Sequence, residues 1–129
     1  MNHKLLRTAV LATGLVTVSS AVFAHHGSSS YDMKKTTTLN GTISNFEWDN
    51  PHCLIHIDVK ADNLEVQHWT LELPSPFTMR RKGWTKDSLK PGDQAMVETH
   101  PAKNAVTEGI SGDSRAIMKV VVNGKALPQ

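Results

Sequence analysis

The chain has 129 residues but only one cysteine, one tyrosine and few other aromatic residues. With Cys53 alone, no intramolecular disulfide can form, so stability must come from packing. No sign of charge dominates either: 14 Lys and Arg stand against 12 Asp and Glu. Two of the basic residues, Lys4 and Arg7, sit in a segment that reads as removable, which leaves the working protein near neutral. A near-neutral domain lacks the broad positive field that gives nucleic-acid binders their sequence-independent affinity, so no nucleic acid is expected as partner. Long hydrophobic runs are missing as well. The apolar run Ala9 to Val18 is far shorter than the roughly 20 residues a bilayer span needs, so no stable membrane insertion is expected. The length suits one domain with a modest core and excludes a multidomain enzyme.

What is present begins with an export pattern. Lys4 and Arg7 precede the apolar run, and Ser19 to Ala24 ends in Val22, Phe23 and Ala24, as a secretory signal peptide does. Residues 1–24 are expected to be cut away before His25, which places the mature protein in the periplasm or outside a bacterial cell. No cysteine follows Ala24, so a lipid-modified cysteine at the cut is excluded.

The remainder reads as all-β. Residues 25–35 form a polar, Ser-rich arm, and 36–129 form a single β domain. Thr36 to Trp48 is rich in β-branched and aromatic residues, and its alternation breaks near Asn45, as at a bulge. In Cys53 to Lys60, the residues Cys53, Ile55, Ile57 and Val59 share one face. A hairpin loop of Ala61, Asp62 and Asn63 returns the chain through Leu64 to Leu73, setting Ile55 opposite Trp69 and Cys53 opposite Leu71. Ser75 to Lys82 predicts one or two helical turns, Gln94 to His100 a fourth strand, Lys103 to Gly112 a loop, and Arg115 to Val122 a fifth strand before an Asn123-Gly124 turn. Five antiparallel strands with one short helix between the third and fourth is the order of a small barrel resembling an oligonucleotide/oligosaccharide-binding fold. An open sandwich is the alternative.

Particular segments carry a resemblance. They are HHGS after the leader, NGTISNFEWDNPHCLIHIDV, WTLELPSP, RRKGW, SLKPGD, and His100 followed by Pro101. Together they resemble a family of small secreted bacterial proteins defined only as a domain of unknown function. The signature falls here on His25, His26, Glu47, Trp48, Asn50, Pro51 and His52. The resemblance implies an exported, compact β domain and no particular reaction. The stretch from Asn104 to Ser114 is longer and more polar than the short Gly-containing turn such proteins have there.

Histidine is the residue type that carries chemistry. Six of the seven histidines fall after the leader. In the expected register His56 and His68 oppose one another on the outer face, where cross-strand Cβ atoms lie about 4.5–5.5 Å apart, within reach of one metal ion. His52 lies one side-chain period from His56 and faces Glu72. Cleavage before His25 frees an α-amine beside an imidazole, with a second imidazole at His26. Such nitrogen donors suit copper(II), with zinc as the alternative. The candidate ligands are therefore His25, His26, His52, His56 and His68. Uptake through neutral imidazoles is expected to weaken as pH falls through about 6.

Other features are weaker. Met33, Met79, Met96 and Met118 are spread as packing residues are, and Cys53 reads as a buried filler rather than a reactive thiol. His100 reads as structural. The serines at 28–30 lack any nucleophile motif, which disfavours a hydrolase. The leading expectation is a non-enzymatic protein that sequesters or delivers a metal. A binding module for a small ligand or protein, built on Trp48, Trp69, Trp84 and the basic triplet Arg80, Arg81 and Lys82, is the runner-up; a copper-dependent oxidative enzyme is the third reading.

Overall fold

The computed structural model describes residues 28–111 and 119–129. The expected leader and its cleavage point, with His25, His26 and Met118, lie outside the described residues. Among the described residues no helix is long and apolar enough to cross a membrane. The elements are β1 (Thr37–Glu47), β2 (Leu54–Lys60), β3 (Val66–Glu72), α1 (Pro76–Arg81), β4 (Gln94–Pro101), β5 (Glu108–Ile110), β6 (Val120–Val122) and β7 (Lys125–Ala126). Of the expected arm, Ser28–Ser30 form a single 3-10 turn rather than extended chain, and Tyr31 bridges to Ala102.

Strand β1 is long enough to serve two neighbours. Its first half pairs antiparallel with β4, from Thr37 opposite Thr99 to Thr42 opposite Gln94. Its second half pairs with β2, from Thr42 opposite Asp58 to Glu47 opposite Leu54. Where the two halves meet, the β1 and β2 backbones come so close that a Cβ at Gly41 would overlap the Asp58 carbonyl, which is why glycine stands there. The break in alternation expected near Asn45 is a bulge. Ile43 pairs with Ile57 and Asn45 with His56, so Ser44 is extra and both Ile43 and Phe46 pack toward the core.

The β2–β3 hairpin corrects the expected register. Ile55 stands opposite Leu71 and Ile57 opposite Trp69, two residues from the predicted pairing. The three-residue loop is Asp62 to Leu64, not Ala61 to Asn63: the Ala61 amide donates to the Glu65 carbonyl at 2.8 Å, and Leu64, at φ 67°, closes the turn back to Ala61. The Asn63 side chain holds this turn, accepting from the Glu65 amide at 3.1 Å and donating to its carboxylate at 2.8 Å. Sliding a loop by one residue shifts the pairing by two. The apolar parity therefore survives while every cross-strand partner changes.

The expected loop at 103–112 contains a strand. Strand β5 runs parallel to β3, with Leu71 opposite Gly109, and antiparallel to β4, with His100 opposite Ile110. These pairings close the ring β1-β2-β3-β5-β4-β1, a five-stranded barrel of the oligonucleotide/oligosaccharide-binding kind. Glycine at its centre hides β5 from pattern reading, yet a Cβ at Gly109 would overlap the Thr99 hydroxyl. Strand β6 is the described part of the expected fifth strand. It continues along β4 and turns back at Asn123 and Gly124, both at positive φ, into β7.

Ile43, Ile55, Ile57, Leu71, Val97 and Val120 fill the core, each almost wholly removed from water. Each such side chain contributes about 1.5–3 kcal/mol relative to exposure. Helix α1 starts where predicted. The Ser75 hydroxyl accepts from the Thr78 amide, and Pro76 occupies the first helical position. It delivers Met79 to the core, followed by Trp84 and Leu89. Trp84 also donates from Nε1 to the Pro128 carbonyl at 2.7 Å.

Candidate imidazole–carboxylate face

The outward parity of β1, β2 and β3 brings histidines and carboxylates onto one face. His56 follows Leu54 on β2 and stands opposite Thr70. Its Nε2 lies 2.7 Å from Glu47 Oε1, and its Nδ1 3.3 Å from the Thr70 hydroxyl. A carboxylate can only accept, so Nε2 carries a proton toward Glu47, while Nδ1 faces the Thr70 hydroxyl. The bulge at Ser44 sets this up, because it moves Glu47 onto the outer parity beside β2.

His52 precedes β2 in the turn that follows the cis Asn50–Pro51 peptide. Its Nε2 is 3.2 Å from Glu72 Oε1. The other oxygen of that carboxylate, Oε2, accepts from the Tyr31 hydroxyl at 2.8 Å. Glu72 thus joins the turn to the N-terminal arm. Burial, with the negative charges of Glu72 and Glu108, raises the Tyr31 phenol well above its ordinary value, so it stays a donor.

His68 does not oppose His56. It stands opposite Asp58, with Nδ1 2.7 Å from Oδ1, and is 78% exposed. The expected shared spot between His56 and His68 is thereby corrected: the two-residue register shift gives each imidazole its own carboxylate. Among the described residues no three His, Cys, Asp or Glu side chains converge as a metal-holding group. His100 is structural, its Nδ1 donating to the Lys35 carbonyl at 2.8 Å and tying the arm to β4.

The surface expected from three tryptophans is not built in that form. Trp69 and Trp84 are interior, 7% and 1% exposed. Only Trp48 is partly open, edge-on to Phe46, with the Arg80 guanidinium 5.8 Å from its ring centroid. Cys53 is wholly buried, and loss of hydration pushes its thiol up to about 11, as suits an inert filler. Of the methionines, Met79 is core and Met96 half-buried.

Sequence reasoning missed Tyr31 and Asp58. Asp58 was legible on the same outward parity as His56. Tyr31 carried one signal, being the sole tyrosine of the chain and standing in an otherwise polar arm.

No curated protein matches the chain significantly. Among solved structures, the mitochondrial single-stranded DNA binding protein Rim1 of S. cerevisiae is similar at 10% identity, over 69% of this chain and 94% of that one, with a TM-score of 0.48. The profile of a family of unknown function (DUF6152) matches residues 12–111, and the chain belongs to that family.

Proposed function

We propose that the protein binds a metal ion, copper(II) before zinc, on the outer face of β1 to β3, and that it works as an exported carrier or sequestering protein rather than an enzyme. The ligands in this reading are His52 and His56, with His25 and His26 completing the set from the arm once the leader is removed. His68 plays no part in it.

One observation carries the reading. Tyr31 fastens the arm to Glu72, the same carboxylate that pairs with His52. The Ser28 carbonyl accepts from the Tyr31 amide at 3.1 Å, so the docked chain reaches back to within three residues of His25. Three residues of extended chain span about 10 Å, which sets how far from Ser28 a terminal amine and two imidazoles can reach. Glu47 and Glu72 add negative charge that favours a cation, and nitrogen donors of this number suit copper(II).

The test is a titration of protein with its N-terminus verified at His25, using copper(II) and zinc(II) with a competing chelator. Stoichiometric uptake is expected, lost in a His52→Ala, His56→Ala double variant and weakened when an extra residue precedes His25. Absence of uptake overturns the reading. Uptake unchanged in the double variant confines the ligands to the chain start and removes the β2 face from it.

A further inference from the structure

The metal reading leaves the basic triplet at the end of α1 without a role. Residues 76–90 hold five of the fourteen basic residues and one of the twelve acidic ones, a net charge of +4, while the rest of the chain sums to −2. Among the described residues Arg80, Arg81 and Lys82 form no ion pair. Lys86 and Lys90 continue the run on exposed positions of the connection to β4.

Beside these cations stands an apolar ring that the fold does not use. Phe77 is 67% exposed, although Pro76 and Met79 of the same helix are buried. Arg81 lies over its ring at 5.9 Å from the centroid, as Arg80 lies over Trp48. Basic residues in a last helical turn are favoured by the helix dipole, but that accounts for neither the exposed ring nor the lysines beyond the helix.

We infer that the exposed side of α1 and the connection after it dock on an anionic phospholipid bilayer. An aromatic ring flanked by long cationic side chains suits the interface, where the ring enters the headgroup boundary and the guanidinium groups reach phosphates. The Phe77 face that a base would stack on is already covered by Arg81. Attachment is peripheral and involves no spanning segment.

Co-sedimentation with phosphatidylglycerol-containing vesicles and with phosphatidylcholine vesicles tests this, alongside titration with a single-stranded oligonucleotide. Retention is expected on the anionic vesicles alone, reduced by salt. At about 1 kcal/mol per surface cation, an Arg80→Ser, Arg81→Ser variant binds about 25-fold more weakly. Phe77→Ser also weakens retention. Because Arg80 packs on Trp48, the exposed pair Lys86→Glu, Lys90→Glu provides a second variant independent of that contact, again with reduced retention. Equal retention on both vesicle types, indifference to both Phe77→Ser and the lysine pair, or tighter binding to the oligonucleotide than to the anionic vesicles overturns the inference.

Discussion

The Tyr31 hydroxyl donates to Glu72 across 41 positions of sequence, and it is the polar contact by which the N-terminal arm grips the β2–β3 face. The same carboxylate holds His52 through its other oxygen. One glutamate on β3 therefore sets both where the arm lies and which way the His52 ring points, and a change at Glu72 disturbs two structures at once.

Tyr31→Phe keeps the ring and removes the bond. A hydrogen bond to a charged group contributes about 1.5 kcal/mol, so urea unfolding at pH 7 should show the variant less stable by about that amount. The pH dependence has a definite sign. The native phenol is raised above its ordinary value of 10.0, so its contribution is complete below pH 10 and falls as pH climbs beyond it, because the unfolded chain loses the proton first. Stability profiles from pH 8 to 11 should show a steeper alkaline fall for the natural protein than for Tyr31→Phe; identical slopes would contradict the raised phenol.

Within the proposed function, the histidines should not be equivalent. His68 pairs with Asp58 farther along the hairpin and is largely solvated, so His68→Ala should leave copper uptake within about twofold. Glu72→Gln should weaken uptake tenfold or more, since outer carboxylates that orient ligating imidazoles typically contribute 10–100-fold. Chelator competition on the two variants side by side checks the order, and the reverse order would place the site on the His68 end of the hairpin.

The barrel was legible where apolar alternation is strong. Cys53, Ile55, Ile57, Trp69 and Leu71 announced their strands and their inward face, and the mismatch of Ile43 with Phe46 announced the bulge. The register was not legible, because it turned on which residue took the left-handed position. Leu64 took it, held by the Asn63 side chain, where propensity favours Asn or Gly. The face built on that register changed accordingly: His52 still meets Glu72, but diagonally, and His56 meets Glu47 and Thr70 in place of His68. Strand β5 escaped because three residues centred on glycine carry no period, and its reason for being a strand, the gap between β3 and β4, exists only in three dimensions.

Cys53 gives a second alkaline signature. Its buried thiol is raised from 9.0 to about 11, so its contribution is present below pH 9 and is lost between pH 9 and 11. Cys53→Ala should be less stable at pH 7 through lost packing yet flatter across that window. In the natural protein, thiol reagents at pH 8 should label Cys53 only as fast as the barrel opens; rapid labelling of native protein would show the burial to be wrong.

The sharpest test of the barrel is Gly41→Ala. A methyl there would overlap the Asp58 carbonyl oxygen, and that atom belongs to the β1–β2 ladder, fixed by the pairing of Thr42 with Asp58. Neither backbone can retreat without opening the seam where β1 leaves β4 for β2, so the variant should lose about 3 kcal/mol or more. Gly92→Ala is the control. Gly92 sits at φ 94° with nothing within 4 Å of the would-be Cβ, so alanine there carries only the backbone cost of about 1–2 kcal/mol. If steric closure at the seam is what makes glycine necessary, urea unfolding of the two variants should separate clearly, with Gly41→Ala the weaker; equal losses would mean that the two strands do not approach so closely at that point.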